Sequence, residues 1–86
     1  MSGIGEVAGR NVRRLRETQG LSGNELAKRA GVAQASVSEL ETGKIANPGI
    51  AVLAALAGVL QVSVDELLLD EGAQNAHSGP KDKPQG

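Results

Sequence analysis

Apolar residues from Ile4 to Leu69 recur mostly at helical spacing, and glycines and capping residues punctuate them. Ala8, Val12 and Leu15 form one stripe and predict a first helix from near Ile4 or Gly5 to Gln19. Arg10, Arg13 and Arg14 lie mostly outside that stripe. Arg16, four residues after Val12, sits at its margin. Ser22 and Glu25 have the spacing of a capping box and predict a second helix over Gly23–Ala30. Leu26, Ala27 and Ala30 share one face of it, and Gly31 stands where the chain must leave with positive φ. Val37 and Leu40 anchor a third helix over about residues 34–42, ended by Gly43. Asn47 is expected to cap a fourth, with Pro48 at its first position and its end near Leu60. Ile50, Leu53, Leu56, Ala57 and Leu60 are its expected core stripe. Ser63 and Glu66 form a second capping box, opening a fifth helix through about Leu69.

The fourth helix departs from simple amphipathicity. Residues 45–64 carry no charge. The run is not a membrane span: Asn47, Pro48, Gln61 and Ser63 break it, and the helix between them is too short for about 30 Å of hydrocarbon. Opposite the core stripe, Ala51, Val52, Ala55, Gly58 and Val59 also align. A helix apolar all round is expected to be buried all round. This predicts a second packing surface, read as a homodimer interface, which Leu67, Leu68 and Leu69 could extend. The alternative is an Ala-rich surface without consequence.

Residues 21–44 place two short helices on either side of one glycine turn. That is the helix-turn-helix design, whose second helix can enter the DNA major groove. The wider sequence resembles the phage-repressor-like (lambda repressor and Cro type) helix-turn-helix family. The resemblance rests on an ordered set: Arg13, Leu15-Arg16, Gly20-Leu21-Ser22, Glu25-Leu26-Ala27, Gly31-Val32, Val37-Ser38, Leu40-Glu41, Gly43-Lys44, Asn47-Pro48, Leu53, Leu56-Ala57, Leu60 and the run from Val62 to Leu68. It covers roughly residues 7 to 69. It implies an all-α, compact five-helix domain, usually dimeric, that reads short DNA sites and regulates transcription. It also implies an Arg16–Glu41 pair clamping the first helix to the third. Three positions depart from the family pattern: Gly23 replaces a phosphate-touching Gln, Ala33 replaces a Ser or Thr cap, and Gln61 replaces a Gly before the last helix. If Gln61 needs positive φ, it costs roughly 1 kcal/mol.

Length suggests one domain over residues 1–71, and the polar stretch 72–86, rich in Gly, Pro, Lys and Gln, reads as a disordered tail. A core of this size supplies about 3–5 kcal/mol, so dimerisation could add needed stability. The chain has no Phe, Tyr or Trp, which removes base stacking on aromatic rings as a binding device. It has no Cys, hence no disulfide or thiolate metal site, and its redox compartment is unconstrained. The N-terminal residues lack the pattern of a secretory signal, so a cytoplasmic protein is expected. Net charge is −1, but residues 1–44 hold seven basic and five acidic side chains, against two and five in residues 45–86. The first half is therefore the expected DNA face.

If the third helix reads DNA, its first turn meets base edges. Gln34 can bond N6 and N7 of adenine together, Ala35 can touch a thymine methyl, Ser38 points the same way, and Glu39 can accept from cytosine N4. Ser36 falls nearer the phosphate backbone. For phosphates, Ser22 and Gly23 can offer N–H groups at a helix start, and Lys44 follows the third helix. The resemblance adds Asn47 and Arg10 or Asn11, while Lys28 and Arg29 read as a solvated face. So few cations imply a shallow salt slope, with roughly three to five phosphates neutralised per dimer.

Two function classes follow. One is a DNA-binding transcriptional regulator, expected to be a repressor, acting as a homodimer on a roughly palindromic site. Antitoxins and restriction–modification controllers are subtypes of this size. The other is a protein-interaction module using the apolar outer face of the fourth helix. Nothing points to an enzyme: His77 is the only His, it lies in the polar tail, and no nucleophile or carboxylate pair adjoins a pocket-forming segment. No metal-ligand spacing is present, so no cofactor, metal or small-molecule ligand is expected. Lys81 and Lys83 of the tail could touch DNA weakly.

Overall fold

The computed structural model describes residues 3–69 as five α-helices, with no strand among those residues. They are α1 (Ile4–Thr18), α2 (Gly23–Ala30), α3 (Gln34–Glu41), α4 (Ile50–Leu60) and α5 (Val64–Leu68). The expected tail, with His77, Lys81 and Lys83, lies outside the described residues. α1 packs on α3 and α5, α2 on α3 and α4, and α4 on α5. The core between them is aliphatic. Val12, Leu26, Val37, Leu40, Leu56, Leu60 and Leu67 are its largest fully buried side chains.

Four of the helices end in the same way. Leu21 N–H bonds Arg16 O at 3.0 Å, Val32 N–H bonds Ala27 O at 3.0 Å, Lys44 N–H bonds Glu39 O at 2.9 Å and Val62 N–H bonds Ala57 O at 3.0 Å. Each closes a 6→1 loop that satisfies a carbonyl the helix leaves open, and each needs one residue of positive φ just before it. Gly20, Gly31 and Gly43 supply it at φ 73, 72 and 80, whereas α4 uses Gln61 at φ 62. Leu21, Val32 and Val62 then tuck against the core and fix the direction in which the chain departs.

Helix starts are less uniform. Both expected capping boxes form. Glu25 N–H donates to Ser22 Oγ at 3.0 Å while Ser22 N–H donates to Glu25 Oε1 at 2.9 Å, and Ser63 and Glu66 repeat the pattern. The expected start of α4 is corrected: Asn47 is not its cap and Pro48 is not its first residue. The chain stays non-helical through Gly49 (φ −68, ψ 144), and α4 begins at Ile50. Ile50 is consequently not in the core stripe and is 68% exposed. Gly49, itself a favoured cap residue, takes the cap position two residues later in extended backbone and without a side-chain hydrogen bond. Upstream, the carbonyls of Ile45 and Ala46 lie against Gly5 of α1.

Gly5 and Gly9 share the buried face of α1. A Cβ at Gly5 would overlap the carbonyl oxygen of Ile45, and one at Gly9 would overlap that of Leu40. α1 therefore meets the end of α3 and the following loop backbone to backbone.

Candidate nucleic-acid interface

α3 is seated on the core by Val37 and Leu40, which are each 1% exposed. Helical geometry then turns Gln34, Ala35, Ser38, Glu39 and Thr42 to the opposite face, and all five are exposed. Ser36 is half-buried at the margin. The four residues expected to meet base edges thus share one solvent-facing surface.

Three devices fix the attitude of that surface. The first is the backbone contact of Gly9 with Leu40. The second is the Arg16–Glu41 pair. Arg16 Nε donates to Glu41 Oε2 at 2.8 Å and Nη2 donates to Oε1 at 3.0 Å, while Nη1 donates to Leu21 O at 2.9 Å. The side chains are only 14% and 9% exposed, so the fork binds in a low-dielectric setting where bidentate geometry counts most. Hydrogen bonding to Glu41 raises the Arg16 guanidinium above its ordinary pKa, against the opposing effect of burial. One side chain thereby ties the end of α1, the α1–α2 turn and the end of α3. The third device is the glycine turn at Gly31, which sets α3 across α2. The weak point is the start of α3. Ala33 occupies the cap position with no side-chain hydrogen bond, so the first turn lacks the anchor that α2 and α5 have.

The residues expected to touch phosphate fare unequally. Lys44 and Asn47 are exposed after α3. Arg10 is exposed and lines a shallow cleft with Glu6, Glu41, Thr42 and Gly43. Gly23 is half-buried at the start of α2. Ser22 is exposed, but its N–H donates to Glu25, so only its hydroxyl proton remains as a donor. The Ser22 backbone bond, aided by the hydroxyl, holds the Glu25 carboxyl below its usual pKa and keeps a negative charge at that helix start.

Asn11 is a correction. It is 2% exposed and its Nδ2 donates to Leu67 O and Leu69 O, each at 2.8 Å. Its amide caps the C-terminal carbonyls of α5, which explains how a five-residue helix is held, and it is not a phosphate contact. The local sequence carries no sign of this, because its partners lie more than fifty positions away.

The residues read as a dimer surface lie on or beside the outer side of α4. Ala51 and Gly58 are exposed, and Val52, Ala55, Val59 and Leu68 are half-buried. Val52, Val59 and Leu68 pack against the core of the single chain. One feature near α3 has no local signal in the sequence. Arg13 and Gly23 line a cleft with Gln34, Val37, Ser38, Glu41 and Thr42. The cleft joins α1, the start of α2 and the exposed face of α3.

A helix-turn-helix family model matches residues 12–67, which spans α2, the Gly31 turn and α3. The chain belongs to the helix-turn-helix family. It is similar to the HTH-type transcriptional regulator SinR of Bacillus subtilis, at 38% identity over 76 residues, covering 88% of this chain and 68% of that protein. Among solved structures it is similar to the master regulator for biofilm formation SinR in complex with DNA. That match has 39% identity and a TM-score of 0.70, and covers 72% of this chain and 98% of that one. It is similar as well to a SinR protein/SinI protein complex, at 33% identity and a TM-score of 0.68, covering 87% of this chain and 82% of that one. The helix-turn-helix match excludes most of α1, where Gly5 and Gly9 make their backbone contacts. No helix of the described residues is long and apolar enough to cross a membrane.

Proposed function

We propose that the chain is a sequence-specific DNA-binding transcriptional regulator, a repressor acting in the cytoplasm as a homodimer on a roughly palindromic site. The observation that carries this reading is the exposed row on α3, a polar helix face held rigidly at one edge of the domain by the Arg16–Glu41 fork. Similarity to a regulator solved in complex with DNA supports the same direction. Gln34 and Ser38 read base edges, Ala35 meets a thymine methyl, and Glu39 accepts from cytosine or rejects other bases. Gly23 N–H, the Ser22 hydroxyl, Lys44, Asn47 and Arg10 set the register on phosphates. Ala51, Val52, Ala55, Gly58, Val59 and Leu68 join two copies, placing two α3 helices about 34 Å apart.

The test is selection of random duplex DNA by the purified protein, repeated with Gln34→Ala. An inverted repeat with half-sites about one helical turn apart is expected, with preference lost at one base pair per half-site in the variant. Absence of enrichment at low salt would sink the DNA-binding reading. A second reading is favoured by one observation, the resemblance to a regulator solved with a protein partner. In that case the apolar outer face of α4 also receives another protein.

A further inference from the structure

We propose that Arg13 is a phosphate-contacting residue that sets DNA affinity, and that Glu17 restrains it in the free protein. The proposal rests on the DNA-binding reading above. Arg13 Nε lies 3.2 Å from Glu17 Oε2, and the two side chains are 59% and 57% exposed. An exposed i,i+4 pair of this kind is weak and readily exchanged for a better anion. The cleft that Arg13 lines explains where that anion would lie. Its other walls include Gln34, Ser38 and Thr42, on the face of α3 turned to solvent, and Gly23 at the start of α2. Gly23 has no side chain, and a Cβ there would meet nothing within 4 Å, so the approach to Arg13 from that side stays open.

Charge narrows the choice of ligand. Glu41 also lines the cleft, but its two oxygens are taken by Arg16. Among the described residues lining the cleft, Arg13 is the one cation. With α3 in a major groove, a sugar–phosphate strand borders the groove along the edges of the helix. A guanidinium at that edge pairs with a phosphodiester through two parallel N–H donors, a geometry Lys cannot copy. Arg13 then leaves Glu17, whose carboxylate returns to solvent. This contact carries affinity and register and no base preference.

The experiment measures binding of the full chain to its selected DNA site by fluorescence anisotropy across a salt series. Arg13→Ala is expected to weaken binding about tenfold at low salt and to lower the slope of log affinity against log salt by about one per protomer, with base preference unchanged. Arg13→Lys should fall between the two. Glu17→Gln should tighten binding about two- to threefold, because the restraint is removed. Arg29→Ala, on the last turn of α2, serves as the control for a solvated cation. The proposal is overturned if Arg13→Ala loses no more than Arg29→Ala, if its salt slope matches the parent, or if Glu17→Gln weakens binding. A selection that returns no site overturns the DNA-binding reading itself, and this inference with it. A selected site that binds Arg13→Ala as tightly as the parent overturns this inference alone.

Discussion

The α1–α3 contact and the outer side of α4 are built on opposite principles. α1 meets α3 at backbone distance through Gly9 and is forked to it through Arg16 and Glu41. α4 turns Leu53, Leu56, Ala57 and Leu60 into the core and leaves Ala51, Ala54 and Gly58 exposed, with no charged residue along its length. Burial of aliphatic surface is strong but non-directional, and it permits small rotations at little cost. Carbonyl contact and a two-pronged ion pair are directional and fix the attitude of a helix closely. The directional contacts are gathered behind the surface proposed to read bases, where misplacement would be most damaging. The side left to apolar packing is the one proposed to be completed by a second copy.

The sharpest way to break this contrast is Gly9→Ala. Alanine is the better helix former by about 1 kcal/mol, so an isolated α1 would gain. In the folded protein the new methyl overlaps Leu40 O, a backbone atom that cannot swing aside. The expected net loss is at the top of the overpacking range, about 3 kcal/mol, and comparable to the whole stability of a domain this size. Urea titration followed by far-UV circular dichroism checks it. A loss below about 1 kcal/mol would mean that α1 is free to move and that the contact does not hold α3. The outer face of α4 provides the control: within one chain Gly58 has open space where its Cβ would stand, so Gly58→Ala should stabilise the monomer, measured at protein concentrations too low for association, by about 1 kcal/mol.

The next largest effect separates charge from geometry at the fork. Arg16→Ala leaves Glu41 with little exposure and no partner, and the expected loss is about 2–3 kcal/mol, below the range for fully buried pairs because some solvent reaches both groups. Arg16→Lys keeps the positive charge but cannot fill both carboxylate oxygens and reach Leu21 O together. It should recover less than half of the loss in a thermal melt. Full recovery by Lys would show that the clamp is a point charge and carries no orientation.

How much of this is legible in the sequence depends on the distance of the cause. Ser22 with Glu25 and Ser63 with Glu66 are three residues apart, so their spacing alone reveals the capping boxes. The Gly31 turn and the end of α4 at Leu60 are likewise local. Asn47 and Pro48 have the local chemistry of a helix start, but so does Gly49, and local spacing does not choose between the two caps; the helix begins at the later one. Asn11 looks like a surface residue among arginines, yet it caps α5 from across the fold. The close approaches at Gly5 and Gly9 leave no local signal, because the carbonyls that require them are far along the chain. The Arg16–Glu41 fork is equally non-local, and only the family resemblance supplies it. At the candidate interface the exposed row of α3 follows from periodicity, whereas the cleft joining Arg13 to Gly23 needs the placement of three helices.

The smallest effect has the opposite sign and lies on the apolar side. Four helices close with the same loop, and only α4 does so with a residue that carries a Cβ in the left-handed region. Gln61 is exposed, and its backbone N–H bonds Ala57 O and Gly58 O, so the conformation is imposed by the chain and not by its side chain. A glycine in its place would remove a steric cost of about 1–2 kcal/mol, but glycine also gives the unfolded chain more freedom to lose. The balance predicts that Gln61→Gly stabilises by about 0.5–1 kcal/mol, a rise of several degrees in Tm for a domain of this length. Differential scanning calorimetry would resolve it. A fall in Tm would mean that the Gln61 side chain makes a contact that outweighs the strain. In that event the turn into α5 would be held directionally, as α3 is, and the contrast between the two sides of the molecule would narrow at its one strained residue.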